Sequence, residues 1–216
     1  MSARGFQSVV IDVDSTLCGI EGIDWLASRC DPATGAAISA LTDRAMRGEI
    51  ALESVYGERL AAVRPSRRDV DELAAAYVGA LAPGAAEAVR ALHDAARRVV
   101  LVSGGLREAI LPLAAQLAIA EHDVHAVTVR FNADGAFGGH DETSPLTTGS
   151  GKQDVVRALA LPRRILAVGD GATDLAIRPA VDAFAAFTGF IRRAPVVASS
   201  DVVIDSFAQL VELVLS

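Results

Sequence analysis

Short apolar runs recur along the chain: SVVI (8–11), RVVLV (98–102), RILAV (164–168), AFAAF (183–187) and DVVI (201–204). They are continuous rather than alternating. Strands buried on both faces read this way, so the pattern predicts a parallel sheet sandwiched between helices. Segments of helical period separate most of them. LREAILPLAAQLA (106–118) and SGKQDVVRALA (150–160) read as crossover helices, as does AAEAVRALHDAA after Pro83. FAQLVELVL (207–215) reads as a terminal amphipathic helix. HAVTVRFNADGAFGGHDE (125–142) instead alternates around Asp134-Gly135, which predicts a β-hairpin.

One connection breaks the rhythm. More than eighty residues separate Asp14 from Val99, whereas a simple crossover needs only about thirty. The intervening sequence is helical: IEGIDWLASRC, TGAAISALTDRAMRG, LESVYGERLAAV and RRDVDELAAAYVGAL, punctuated at Pro65-Ser66 and Pro83-Gly84. The expected fold class is therefore α/β. A doubly wound parallel sheet is built from residues 1–15 and 78–216, and a small helical domain, residues 16–77, is inserted after the first strand.

Polar residues cluster where three of these strands end. The first strand runs into Asp12 and Asp14, the second into Ser103-Gly104-Gly105, and the third into Gly169-Asp170-Gly171-Ala172-Thr173-Asp174. Any one cluster is ordinary turn chemistry. Three at adjacent strand ends converge on one crevice, where parallel α/β sheets bind ligands. Asp12, Asp14 and Asp170 offer hard oxygen ligands, which suit Mg²⁺. Ser103-Gly104-Gly105 is expected to open the helix beginning near Leu106, a seat for an anion. Lys152, in GSGKQD, is placed to neutralise a phosphate; the plain alternative is a surface lysine. GSGK is not a P-loop, because Gln153 stands where Ser or Thr is required and no strand leads into it. GDGATD lacks the third glycine of a dinucleotide fingerprint.

Composition narrows the setting. The 216 residues are 51% hydrophobic, enough for a sizeable core, and the net charge of −7 argues against sequence-independent nucleic-acid binding. Cys18 and Cys30 form no CxxC pattern and read as free thiols in a reducing compartment. MSARGFQ leads straight into a strand, and no charge-free apolar stretch reaches the length of a membrane span. The expectation is a soluble cytoplasmic protein with a small-molecule partner, no nucleic acid and no membrane.

DVDSTL, VSGG, the isolated Lys152 and GDGATD, in this order, resemble the haloacid-dehalogenase-like phosphatases. The resemblance covers residues 8–193. It looks narrower still, toward the members that act on phosphoserine. Glu21 lies seven residues past Asp14, RAMRGEI carries Met46 and Gly48, Arg59 follows in GERL, and the hairpin ends in GHDETSP. The resemblance implies a Rossmann-like core under a helical cap. Asp12 would be the nucleophile and Asp14 the general acid and base. Mg²⁺ would be held by the Asp12 carboxylate, the Asp14 carbonyl and Asp170, with Asp174 supporting from behind. Ser103, Gly104, Gly105, Lys152 and Thr173 would hold the phosphoryl group. Glu21 would pair with the ammonium of O-phospho-L-serine and Arg59 with its carboxylate, while Met46 and Gly48 line the pocket. The implied activity is hydrolysis to L-serine and phosphate, a step of serine biosynthesis.

Departures and alternatives stand beside this. Leu52 replaces a usual phenylalanine, and Thr173 sits where Asn is common. FTGFIRR (187–193) is looser than the family's glycine-rich string, with Arg193 a further candidate for substrate contact. Read as residues alone, Glu21 suits a helix N-terminus and Arg59 a solvated helix face. Other small phosphomonoesters and phosphoryl transfer to a second hydroxyl are the close alternatives; dehalogenation, which needs no cation, would leave Asp14 and Asp170 unexplained. A non-enzymatic receiver domain would lack both the second aspartate and the insertion.

Overall fold

In the computed structural model, which describes residues 5–47, 49–50 and 55–216, Ser8–Ile11 forms β1 with every residue buried. Its Val and Ile side chains have neighbours on both faces, because β1 lies between Arg98–Leu106 (β2) and Ile165–Gly169 (β6) and pairs parallel with each. Val124–Val127 (β3), Ala183–Phe187 (β7) and Val202–Ile204 (β8) complete a six-stranded parallel sheet of order β3-β2-β1-β6-β7-β8. The chain winds outward from β1 to β3, then crosses back to β6 and winds the other way. The order therefore reverses beside β1, where a crevice must open at the carboxyl ends of the strands. The hairpin is separate: Val129–Phe131 (β4) pairs antiparallel with Phe137–His140 (β5). Gly135 sits in its turn at φ +82°, a conformation glycine takes without strain.

Among the described residues, four α-helices stand between β1 and the next core helix: Gly22–Ala27 (α1), Pro32–Met46 (α2), Tyr56–Val63 (α3) and Arg67–Gly79 (α4). Ser66 starts α4 through a reciprocal capping box with Asp69. Ala85–Asp94 (α5) follows Pro83-Gly84, and Arg107–Gln116 (α6), Gly151–Ala158 (α7), Ala172–Leu175 (α8), Ala194–Ser199 (α9) and Phe207–Leu215 (α10) follow in turn. The apolar face of α4, Val70, Leu73, Ala74 and Tyr77, is buried, and α4 packs along α6. The inserted helices are thereby anchored to the sheet layer. No helix among the described residues is long and apolar enough to cross a membrane.

Two local expectations change. His125–Val127 belongs to β3 rather than to the hairpin, because it pairs parallel with β2. Ser103-Gly104-Gly105 continues β2 instead of opening a helix: past a bulge after Val102, Leu106 still pairs with Val127, so the chain stays extended and α6 starts at Arg107. The expected seat for an anion therefore lies on a bulged strand end, not at a helix terminus. The Met46 side chain, Gly48 and Leu52 lie outside the described residues.

Candidate active site

β1, β2 and β6 are neighbours in the sheet, so their polar ends meet. One cavity is lined by Asp12, Asp14, Glu21, Arg59, Gly104, Gly105, Lys152, Asp170, Thr173 and Asp174, all singled out from sequence. Ser103 stands just behind it, fully buried, its hydroxyl accepting from Gly105 N at 2.9 Å.

Asp12 and Asp14 face different partners. Asp12 Oδ1 receives the Lys152 ammonium at 2.6 Å. Asp14 Oδ1 receives Gly22 N and the Tyr77 hydroxyl, each at 2.7 Å. The turn between the strand and the insertion is tight: Leu17 N donates to Asp12 O, Cys18 N to Val13 O, and Ser15 takes φ +54°. A left-handed serine costs about 1–3 kcal/mol, and its hydroxyl is fixed by a 2.7 Å bond to Glu21 Oε1.

Lys152 arrives from the first turn of α7. Gly151 lets that helix start against the 145–147 turn, since a Cβ there would collide with Pro145 O. The ammonium also meets Asp174 Oδ1 at 2.6 Å. Asp174 is held on its other oxygen by Gly171 N at 2.9 Å, and Gly169 leaves room for its carboxylate. Asp170 accepts from Arg193 Nε at 2.9 Å and Thr16 Oγ1 at 3.3 Å. Arg193 also approaches Glu21 Oε1 at 3.6 Å. Asp12, Asp170 and Asp174 each present one carboxylate oxygen within 4.8 Å of the others, a geometry able to hold a metal ion.

Carboxylates outnumber cations here, and the electrostatics show it. Burial raises Asp12 well above the usual carboxylate range, with the Asp174 charge adding to this and Lys152 opposing it. Burial likewise raises Asp14, against the Tyr77 and Gly22 hydrogen bonds. Asp170 is pushed up to about 7 by burial and then by Asp174, despite Arg193. Glu21 is pushed up to about 8 by burial and by the Asp14 and Asp170 charges. Burial lowers Lys152, but the Asp12 and Asp174 carboxylates outweigh it and hold the ammonium charged. Such a site favours a bound cation.

Arg59 is 4% exposed and lies 3.4 Å from Asp24 Oδ1, and its Nε has no hydrogen-bond partner among the described residues. A buried guanidinium with an unused donor is poised for an anionic ligand. Sequence reasoning missed Tyr56, Tyr77, Leu146 and Thr148. Tyr56 lines the cavity and donates to Gly104 O at 2.8 Å. The available signal was Tyr77 itself: it shares a helical face with Val70, Leu73 and Ala74, and a tyrosine on a buried face needs a partner for its hydroxyl.

Comparison with known proteins finds relatives along most of the chain. The profile of the haloacid dehalogenase-like hydrolase family matches residues 9–199. A phosphoserine phosphatase of Rattus norvegicus is 38% identical over 207 residues, 94% of this chain and 91% of the rat protein. The chloroplastic phosphoserine phosphatase of Arabidopsis thaliana is 36% identical, over 96% of this chain and 72% of its own length. Among solved structures, a phosphoserine phosphohydrolase-like protein from Francisella tularensis aligns with a TM-score of 0.88 at 27% identity, covering 96% of this chain and 99% of that one.

Proposed function

The chain belongs to the haloacid dehalogenase-like hydrolase family, and from that premise we propose that it hydrolyses O-phospho-L-serine to L-serine and phosphate with Mg²⁺. The observation that carries the reading is one cavity with two kinds of wall. Asp12, Gly104, Gly105 and Lys152 suit a phosphoryl group; Glu21 and Arg59 suit the ammonium and carboxylate of a free amino acid.

Asp12 is the nucleophile. Its carboxylate attacks phosphorus and forms an aspartyl-phosphate as the serine oxygen leaves. Asp14 protonates that oxygen and then takes a proton from the water that hydrolyses the acyl phosphate. Lys152 and the N–H of Gly104 bind phosphoryl oxygens, with Ser103, Gly105 and Thr173 beside them. Mg²⁺ fits the donor set, which is oxygen throughout, buried and short of positive charge. Asp12, Asp170 and the Asp14 carbonyl would hold it, and Asp174 would steady Lys152 and the cluster. When bound, it supplies the charge that lets carboxylates meet a phosphate dianion. Residues 16–77, with α4 running on to Gly79, act as a cap that encloses the substrate. Met46 and Gly48 belong to the same proposed pocket. The product places the enzyme in serine biosynthesis, and we place it in the cytoplasm.

The test is phosphate release, with and without EDTA, from phosphoserine, phosphothreonine and phosphoethanolamine, with Asp12→Asn as blank. Phosphoserine should be turned over many times, and only with the metal. Metal-independent turnover, or indifference to the amino-acid portion, would overturn the reading.

A further inference from the structure

The Asp14 carboxyl is held asymmetrically. Oδ1 accepts two hydrogen bonds of 2.7 Å, from Gly22 N and from the Tyr77 hydroxyl. Among the described residues, Oδ2 has one long contact, 3.4 Å from Ser103 Oγ, beyond a well-formed O–H···O bond. A backbone N–H can only donate, so Oδ1 must stay an acceptor, and a proton carried by this carboxyl belongs on Oδ2.

The Tyr77 hydroxyl reaches Oδ1 through a slot made by two glycines. A Cβ at Gly22 would collide with the hydroxyl, and a Cβ at Gly105 would lie 3.1 Å from it and 2.9 Å from Asp14 Oδ2. Tyr77 is fully buried on the anchored face of α4, so the hydroxyl has little freedom to turn away.

We infer that Tyr77 is a positioning residue for proton transfer: with Gly22 N it pins Asp14 Oδ1 and thereby presents Oδ2 to the leaving oxygen. The inference rests on the phosphomonoesterase reading above. As an Asp12 oxygen bonds to phosphorus, the ester P–O bond breaks and its electron pair stays on the leaving oxygen. The proton on Asp14 Oδ2 neutralises that oxygen. A misaimed carboxyl harms this step in proportion to how much the leaving group needs a proton. A serine alkoxide needs one badly and a nitrophenolate hardly at all.

The experiment measures kcat/KM for phosphate monoesters running from nitrophenyl phosphates to phosphoserine, in wild type and Tyr77→Phe. This ratio reports steps through release of the alcohol, so hydrolysis of the aspartyl-phosphate does not enter. The variant should lose about tenfold on phosphoserine and distinctly less on p-nitrophenyl phosphate, giving a steeper dependence on leaving-group pKa. Gly22→Ala, which crowds the hydroxyl out of its slot, should steepen the dependence in the same way. A fraction of misfolded protein lowers every substrate equally and leaves the slope untouched. Parallel losses on all esters, or no loss, would overturn the inference while leaving the phosphatase reading intact. A wild type inactive on every ester would instead overturn that reading.

Discussion

Lys152 Nζ lies 2.6 Å from Asp174 Oδ1, and an equal 2.6 Å separates it from Asp12 Oδ1. One ammonium thus ties the carboxylate at the end of β1 to the one beyond β6. With both neighbours buried, removing it strands two carboxylates, which costs more than breaking a surface ion pair. Lys152→Met should cut phosphatase activity by at least about 100-fold, because it removes a phosphate ligand and frees the nucleophile. It should also destabilise the metal-free protein by about 3 kcal/mol. That deficit should shrink on acidification, since stranded carboxylates relax by taking up protons. Urea unfolding at pH 8 and pH 6 tests this; equal deficits would show that the pair does not govern the cluster's charge.

Much of this arrangement was legible beforehand. AFAAF and FAQLVELVL occupy the very residues of β7 and α10, because continuous apolar runs and amphipathic periods are local signals. The three polar clusters at strand ends also converge, because a doubly wound order forces neighbouring carboxyl ends together. Partnerships across the insertion were not legible. The bond from Tyr56 to Gly104 spans 48 positions and that from Tyr77 to Asp14 spans 63, and no local pattern encodes a pairing at such range. The bulge that keeps Ser103-Gly104-Gly105 extended was likewise invisible, because it depends on Leu106 finding Val127. Strand propensity alone says little at two glycines.

Arg59→Ala should raise KM for phosphoserine by about 10- to 100-fold, the value of a charge-assisted pair, with a smaller change in kcat. Phosphoethanolamine, which lacks the carboxylate, should be used equally by both enzymes. The same variant strands Asp24, which then keeps, among the described residues, only its bond from Thr42, so a loss of stability should accompany the KM effect. Steady-state kinetics on the two esters decides: a matching rise in KM for phosphoethanolamine would mean that Arg59 shapes the pocket without reading the carboxylate.

Glu21 gives a signature in pH. Burial first, and then the Asp14 and Asp170 charges, raise its carboxyl from 4.5 to about 8. The Arg193 guanidinium, 3.6 Å away and already engaged by Asp170, does not offset this. A raised folded-state pKa means that the native protein binds the proton more tightly than the unfolded chain. The stabilisation is complete below 4.5 and is lost as pH rises through 8. In EDTA, therefore, Tm should fall by several degrees between pH 6 and pH 8.5. Glu21→Gln, neutral throughout, should flatten that slope. A slope unchanged in the variant would assign the titration to another carboxyl.

The last prediction concerns access. The cavity measures about 40 Å³, room for a few water molecules rather than an amino-acid phosphate. Its walls are shared between the core residues Asp12, Lys152 and Asp170 and the insertion residues Ile23, Tyr56 and Arg59. Phosphoserine is expected to enter by parting these walls, and the joint expected to yield is the Tyr56 hydroxyl on Gly104 O, because it crosses from α3 to the end of β2. The insertion carries its own reporter. Trp25, the chain's single tryptophan, lies on α1 with the Arg29 guanidinium 4.8 Å from its ring. In the Asp12→Asn protein, expected to bind without turnover, phosphoserine should change Trp25 fluorescence and slow proteolysis within residues 16–77. Tyr56→Phe keeps the ring beside His140 but removes the cross-bond. It should leave the substrate-free cap more open and more readily cleaved, and enlarge the fluorescence change on binding. Cleavage rates that are identical with and without phosphoserine, in both proteins, would show a cap that does not move.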